Sequence, residues 1–165
     1  MRRRIIYKQG ISLVEGLIGV AIVAMTVMAS LTTFSLYVKV GSKNLSNVQA
    51  SYLLNETVEN LFYLRDVSWD VYIAELDEGT KYYFVWVGTD WFPSPVSTLI
   101  DGKYDRYFIV DPVCRNASAN IITCDTVYTG YDPTSVKATA YVGWKMGGAT
   151  TTKSVSTYLF ALYMN

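Results

Sequence analysis

Residues 16–38 carry no charged side chain, and this apolar run is the feature that most constrains the fold. As a helix of about 23 residues, it is long enough to cross the roughly 30 Å hydrocarbon core of a bilayer. Arg2, Arg3, Arg4 and Lys8 precede it, and basic residues favour the cytoplasmic side of a membrane span. The run therefore predicts one membrane-spanning helix with its N-terminus in the cytoplasm.

The rest of the composition limits the chemistry that the chain can perform. Its formal net charge is zero, so nothing predicts nucleic-acid binding. It has no histidine, which excludes histidine-dependent catalytic triads and histidine metal sites. No pair of acids and no Ser/Lys dyad forms a convincing site pattern, so we expect no enzymatic activity, no metal and no cofactor.

One acid, Glu15, stands at the start of the apolar run. A carboxylate costs a few kcal/mol at the start of a spanning segment unless it lies at the interface or has a partner. A cleaved secretory signal would be shorter, and a permanent signal anchor gives no reason for the acid. If the chain is cut after Gly10, however, Ile11 gains a free amine one helical turn from Glu15. In a bundle of staggered parallel helices, that amine can neutralise the Glu15 carboxylate of a neighbour.

The sequence Gly10-Ile11-Ser12-Leu13-Val14-Glu15, between a basic leader and a long apolar run, resembles the class III signal of type IV pilins and type II secretion pseudopilins. The family usually has Phe-Thr-Leu-Ile/Leu-Glu after the glycine, so Ile11 replaces Phe. The resemblance implies cleavage between Gly10 and Ile11, allows N-methylation of Ile11, and assigns an assembly contact to Glu15. Major pilins often carry a proline about twenty residues into the mature helix. This chain has none before Pro93, which favours a minor pilin or a pseudopilin.

The chain is accordingly predicted to have three parts. Residues 1–10 are a prepilin leader, residues 11–40 are the transmembrane and assembly half of the N-terminal helix, and residues 41–165 are an extracytoplasmic globular head. The helix is expected to continue to about Leu64, because apolar residues recur at helical spacing and would face the head. These residues form two stripes: Leu45, Val48 and Tyr52, and then Leu54, Val58, Leu61 and Phe62.

The remaining residues predict β-strands. Residues 81–88, 105–112 and 121–129 are rich in aromatic and β-branched side chains, and Pro112 is expected to end the second of these strands. Apolar residues alternate through 136–146, Gly147-Gly148 predicts a turn, and 153–164 forms the returning strand. Residues 88–103 are expected to be a loop. The predicted fold is α+β: a long N-terminal helix, transmembrane in its first half, packed on a C-terminal antiparallel sheet, as in pilin-like heads.

Cys114 and Cys124 are the two cysteines of the chain. An even number of cysteines in an exported protein favours a disulfide, and two buried free thiols are the alternative.

The resemblance implies a structural role as a subunit of a type IV pilus-like filament, with minor pilin as the favoured class. The implied partners are other pilin subunits in a homo- or heteropolymer, prepilin peptidase, and the assembly platform with its ATPase. The implied location is the cytoplasmic membrane before assembly and the extracellular filament afterwards. The alternatives are a pseudopilin of a type II secretion or DNA-uptake machine, a pilus-borne adhesin, and, from a different class, an enzyme on a signal anchor.

Overall fold

A computed structural model of the chain describes residues 13–125 and 130–162. These residues belong to two compact units, one ending at Leu45 and the other beginning at Ser46. A single helix, α1 (Leu13–Val67, 55 residues), contributes to both units. It runs without a break through Gly41-Ser42 and ends three residues beyond the predicted Leu64.

In the first unit, residues 13–45 of α1 are exposed along their whole length. Hydroxyl groups within this stretch donate to the carbonyl groups of the preceding turn. Thr26 Oγ1 lies 2.8 Å from the Val23 oxygen, and Thr33 Oγ1 lies 2.8 Å from the Ala29 oxygen. Such bonds satisfy hydroxyl groups inside the helix itself, as a helix without access to water requires. Among the described residues, α1 is the one helix that is long and apolar enough to cross a membrane.

In the second unit, α1 buries one stripe against a β-sheet. The buried positions follow one another at three- or four-residue intervals, as one face of a helix requires: Ser46, Ala50, Leu54, Thr57, Leu61 and Leu64. The predicted contacts of Leu54 and Leu61 with the head are therefore confirmed.

The other predicted stripe is wrong, because Leu45, Val48 and Tyr52 are all exposed, Tyr52 to 72%. The sheet explains the difference. It supplies the bulky side chains of Tyr104 and Trp144 to the cluster that contains Ala50. Small residues are therefore needed on the helix at that point, and the larger apolar residues face away.

The main sheet has five antiparallel strands in the order β3-β4-β6-β7, with β5 paired to the end of β4. They are β3 (Leu99–Ile100), β4 (Tyr104–Arg115), β5 (Ile121–Ile122), β6 (Tyr131–Met146) and β7 (Ala149–Phe160). A separate hairpin consists of β1 (Tyr83–Val87) and β2 (Asp90–Ser94), and a short helix, α2 (Trp69–Tyr72), follows α1. The predicted α+β class is confirmed.

The β6–β7 hairpin follows the sequence pattern closely. Ala138, Ala140, Val142 and Trp144 are buried, as the alternation predicts. Gly147 and Gly148 have φ angles of 58° and 85°. Positive φ at both central residues is what a two-residue type I′ turn requires, and glycine adopts it without steric cost.

The core of the second unit lies between α1 and the sheet. Leu61, Leu64, Phe108 and Leu159 are almost completely buried in its larger cluster. Burial of such a side chain contributes about 1.5–3 kcal/mol, so this layer holds the helix on the sheet. Phe84 of the β1–β2 hairpin joins the same cluster, with its ring centroid 5.0 Å from that of Phe108.

Two strand predictions were wrong in their limits, and one predicted loop contains strands. β4 continues through Pro112 to Arg115, with a shift in its register against β6 between Pro112 and Cys114. A proline without an N–H group is tolerated at such an irregularity. The segment predicted as a loop at 88–103 contains β2 and β3. Trp91 and Phe92 of β2 pair across the hairpin with β1, and β3 pairs with the start of β4. In the strand predicted at 121–129, Ile121–Ile122 forms a strand and residues 123–125 do not, and residues 126–129 lie outside the described residues.

Candidate functional site

Glu15 lies in the first turn of α1 as described, with its side chain exposed. The next basic residue along the helix is Lys39, 24 positions later, or about 36 Å along the axis. Lys39 is therefore far beyond contact distance of Glu15. The predicted cleavage residues, Gly10 and Ile11, lie outside the described residues.

Cys114 and Cys124 are brought together and joined by a disulfide, with their Cα atoms 5.1 Å apart. The bond connects β4 to the segment that follows β5. Cys114 is completely buried, which places one end of the bond in the interior of the head. Closing a loop of this length is worth roughly 2–3 kcal/mol in the chain-entropy account of disulfides.

Beside the disulfide, Arg115 and Asp132 form a polar cluster that was not predicted. Arg115 Nε donates to Asp132 Oδ2 at 2.6 Å, and Arg115 Nη1 donates to the Ala119 oxygen at 3.0 Å. Ser135 Oγ donates to Asp132 Oδ2 at 2.6 Å, and Thr134 Oγ1 donates to Asp132 Oδ1 at 2.7 Å. Burial raises the pKa of Asp132, but these donors outweigh it and leave the pKa well below its ordinary value. The cluster ties the loop after β4 to the start of β6, which is a structural role.

A groove between α1 and the β1–β2 hairpin is the other feature that was missed. This hairpin groove is lined by Glu59, Asn60, Tyr63, Trp86, Thr89, Asp90 and Trp91 and has a volume of about 360 Å³. Tyr63 donates its hydroxyl hydrogen to Asp90 Oδ1 at 3.1 Å. That hydrogen bond and the Asp90 charge raise the pKa of Tyr63. The two tryptophans flank Gly88-Thr89 in the sequence, which is a recognisable signal, but their approach to Tyr63 depends on tertiary packing.

No family model, curated protein or solved structure matches this chain. The architecture is pilin-like. A long, apolar N-terminal helix extends into a head in which its later part packs on an antiparallel sheet, and a disulfide secures the sheet.

The described residues thus present an exposed, mostly apolar helix with Glu15 near its start, and separately a head with the hairpin groove and the Arg115–Asp132 cluster. Within residues 13–125 and 130–162, no group of three or more cysteine, aspartate or glutamate side chains could hold a metal ion. What the first unit offers chemically is a surface for contact with lipid or with other apolar helices, together with one carboxylate.

Proposed function

We propose that this chain is a structural subunit, of the minor pilin class, of a type IV pilus-like filament that polymerises through its N-terminal helix. The observation that carries the proposal is the exposure of α1 over residues 13–45, which includes the uncharged run 16–38, with one acid, Glu15, directly before that run. The pilin-like fold of the head supports the same function. The proposed role is structural and requires no enzymatic activity.

A helix with this much exposed apolar surface is unfavourable in water and needs an apolar environment. A helix that is apolar on every side is stable in a membrane or in a bundle of similar helices. Both environments belong to the proposed function, since the subunit would wait in the cytoplasmic membrane and then enter the filament. Gly16 and Gly19 lie three residues apart, and a Cβ atom added at either would meet nothing within 4 Å. Because Gly16 and Gly19 have no side chains, they would allow a neighbouring helix to approach closely beside Glu15.

The role proposed for Glu15 follows from its charge. After cleavage between Gly10 and Ile11 by prepilin peptidase, the new amine of one subunit would meet the Glu15 carboxylate of the next. Pairing would neutralise two groups that are each costly in an apolar bundle. The other proposed partners are further pilin subunits and the assembly platform with its ATPase, which would move the subunit from the membrane into an extracellular filament.

The first test is the intact mass of the chain recovered from sheared filaments. We expect a polypeptide that begins at Ile11, with or without a methyl group on its amine. Recovery of a chain that still begins at Met1, and only from the membrane fraction, would overturn the proposal.

The second test is Glu15→Ala, compared in the same cells with Glu75→Ala, which removes an exposed acid from the head. We expect Glu15→Ala to be cleaved but absent from filaments, and Glu75→Ala to be incorporated normally. Normal incorporation of Glu15→Ala would contradict the assembly contact.

A pseudopilin of a secretion or DNA-uptake machine would use the same helix and the same acid. The missing helix proline favours that class as well as the minor pilins. Deletion of the chain separates the two functions. Loss of surface filaments supports a pilus subunit, whereas normal filaments with loss of protein secretion or DNA uptake supports a pseudopilin.

A further inference from the structure

Trp86 exposes 58% of its surface, although it belongs to a hairpin that contributes to the core. It lies opposite Trp91 in the β1–β2 register. The centroids of the two rings are 5.0 Å apart, and their planes meet at 76°. The two rings therefore meet edge to face in the lining of the hairpin groove.

Tyr63 of α1 adds a third aromatic ring to the lining, with 45% of its surface exposed. The groove's volume of about 360 Å³ is at the lower end of the range typical of small-molecule sites. A small organic group, rather than a folded partner, matches this size.

The charge of the groove is negative. Glu59 and Asp90 line it, and none of the described residues that line it is basic. Asp90 is held in place, because Tyr63 donates to Oδ1 at 3.1 Å and Thr89 Oγ1 donates to Oδ2 at 3.0 Å. The raised pKa of Tyr63 has this carboxylate as its main cause.

Trp91 already interacts with one cation of the head. The guanidinium carbon of Arg106 lies 5.9 Å from the centroid of the Trp91 ring. Arg106 is itself buried and forms a 2.8 Å ion pair with Glu56, so its charge is compensated within the protein. Glu59 and Asp90 thus remain as the carboxylates that face an incoming group.

We propose that the hairpin groove binds a quaternary ammonium group of the kind carried by choline. The negative faces of aromatic rings attract such a cation, tryptophan most strongly, and cages of aromatic side chains are a known solution for quaternary ammonium ligands. The carboxylates of Glu59 and Asp90 attract a cation electrostatically, and they would not attract a neutral ligand such as a sugar in this way. The site is a property of the head and does not depend on the proposed role in a filament.

The experiment uses the full chain in maltoside micelles, which contain no ammonium headgroup. Indole N–H resonances of isotope-labelled protein are followed while choline chloride is added, with sodium chloride at equal ionic strength as the reference. We expect saturable shifts for Trp86 and Trp91 and none for Trp69 and Trp144, which lie outside the groove. The neutral isostere of choline, with carbon in place of nitrogen, should produce no saturable shift.

Variants test the aromatic and the electrostatic contributions to choline binding separately. Trp86→Ala should weaken choline binding about tenfold, and Glu59→Gln and Asp90→Asn should each weaken it several-fold. Tyr52→Ala removes an exposed aromatic of α1 outside the groove and should change nothing. Glu59 is exposed, so Glu59→Gln provides a test even if Trp86→Ala fails to fold.

Three results would each overturn the proposal. The first is equal shifts from choline and its neutral isostere. The second is choline binding that survives Glu59→Gln and Asp90→Asn unchanged. The third is a saturable response to a neutral hexose with none to choline, which would make the groove a sugar site.

Discussion

Asp132 shows how a single carboxylate can stabilise the head through its surroundings. Its side chain is 15% exposed, and it accepts hydrogen bonds from Arg115, Thr134 and Ser135. Burial alone would favour the neutral acid, but donors that bind the charged form reverse the preference, so the pKa is lowered. A group whose pKa is lower in the folded state stabilises the fold at every pH above its unfolded pKa, here about 3.9.

We therefore predict that Asp132→Asn lowers the free energy of unfolding at neutral pH by about 2 kcal/mol. The difference from the unchanged chain should persist down to about pH 4 and then shrink as the pH falls towards the lowered pKa, because in this range the unfolded chain takes up a proton on Asp132 that the folded chain excludes. Urea unfolding of the full chain in micelles, followed by tryptophan fluorescence at several pH values, measures this.

Asp66→Asn is the matched control, since Asp66 forms an exposed ion pair with Arg65 at 2.7 Å. Such surface pairs contribute no more than about 1 kcal/mol. Equal effects of the two substitutions at neutral pH would contradict the role assigned to the Arg115–Asp132 cluster.

At the scale of single residues, the sequence could predict only those features that depend on neighbouring residues in the chain. Glu15 stands out because it interrupts an apolar pattern. The hairpin groove does not stand out, because Tyr63 reaches Asp90 from 27 positions away in the chain. The donors to Asp132 include Arg115, 17 positions away, and no local pattern marks that partnership.

At the scale of elements, α1 shows which part of a helix the sequence can predict. Its existence and its length follow from apolar periodicity and a long run without proline. Which face is buried near Ala50 depends on Tyr104 and Trp144, which are brought there by β4 and β6. Hydrophobic periodicity predicted that Val48 and Tyr52 would face the sheet. The sheet instead packs its own large side chains against the small residue Ala50, and Val48 and Tyr52 face away from it.

This packing predicts that the same enlargement to leucine destabilises the protein at one position of α1 and has almost no effect at a nearby one. Ala50 is completely buried, so Ala50→Leu should overpack the cluster and lower the free energy of unfolding by about 1–3 kcal/mol. Val48 is exposed, so Val48→Leu should change it by no more than about 0.5 kcal/mol. Thermal or urea unfolding of both variants, side by side, measures the difference. A larger loss from Val48→Leu than from Ala50→Leu would show that the buried face has been wrongly assigned.

At the scale of the whole molecule, the two units have different physical needs. The second unit contains both hydrophobic clusters, the sheet, the hairpin and the disulfide. The first unit has no buried side chain among its described residues, and in the proposed function lipid or other helices cover it. The α+β class was predictable because the change from helical to alternating periodicity is a local property. The boundary between Leu45 and Ser46 was harder to predict, because it depends on where tertiary contacts begin.

This division predicts that the head folds without the apolar helix. A chain that begins at Lys43 retains every residue of both clusters and of the disulfide, and it loses most of the exposed apolar surface of α1. Exported to an oxidising compartment, it should be soluble without detergent, monomeric in analytical ultracentrifugation, and cooperative in thermal unfolding. The full chain should require detergent under the same conditions. If the full chain is soluble without detergent, that result would contradict the proposed membrane and filament environment of residues 13–45. Failure of the shorter chain to unfold cooperatively would mean instead that the first part of α1 is needed to stabilise the sheet.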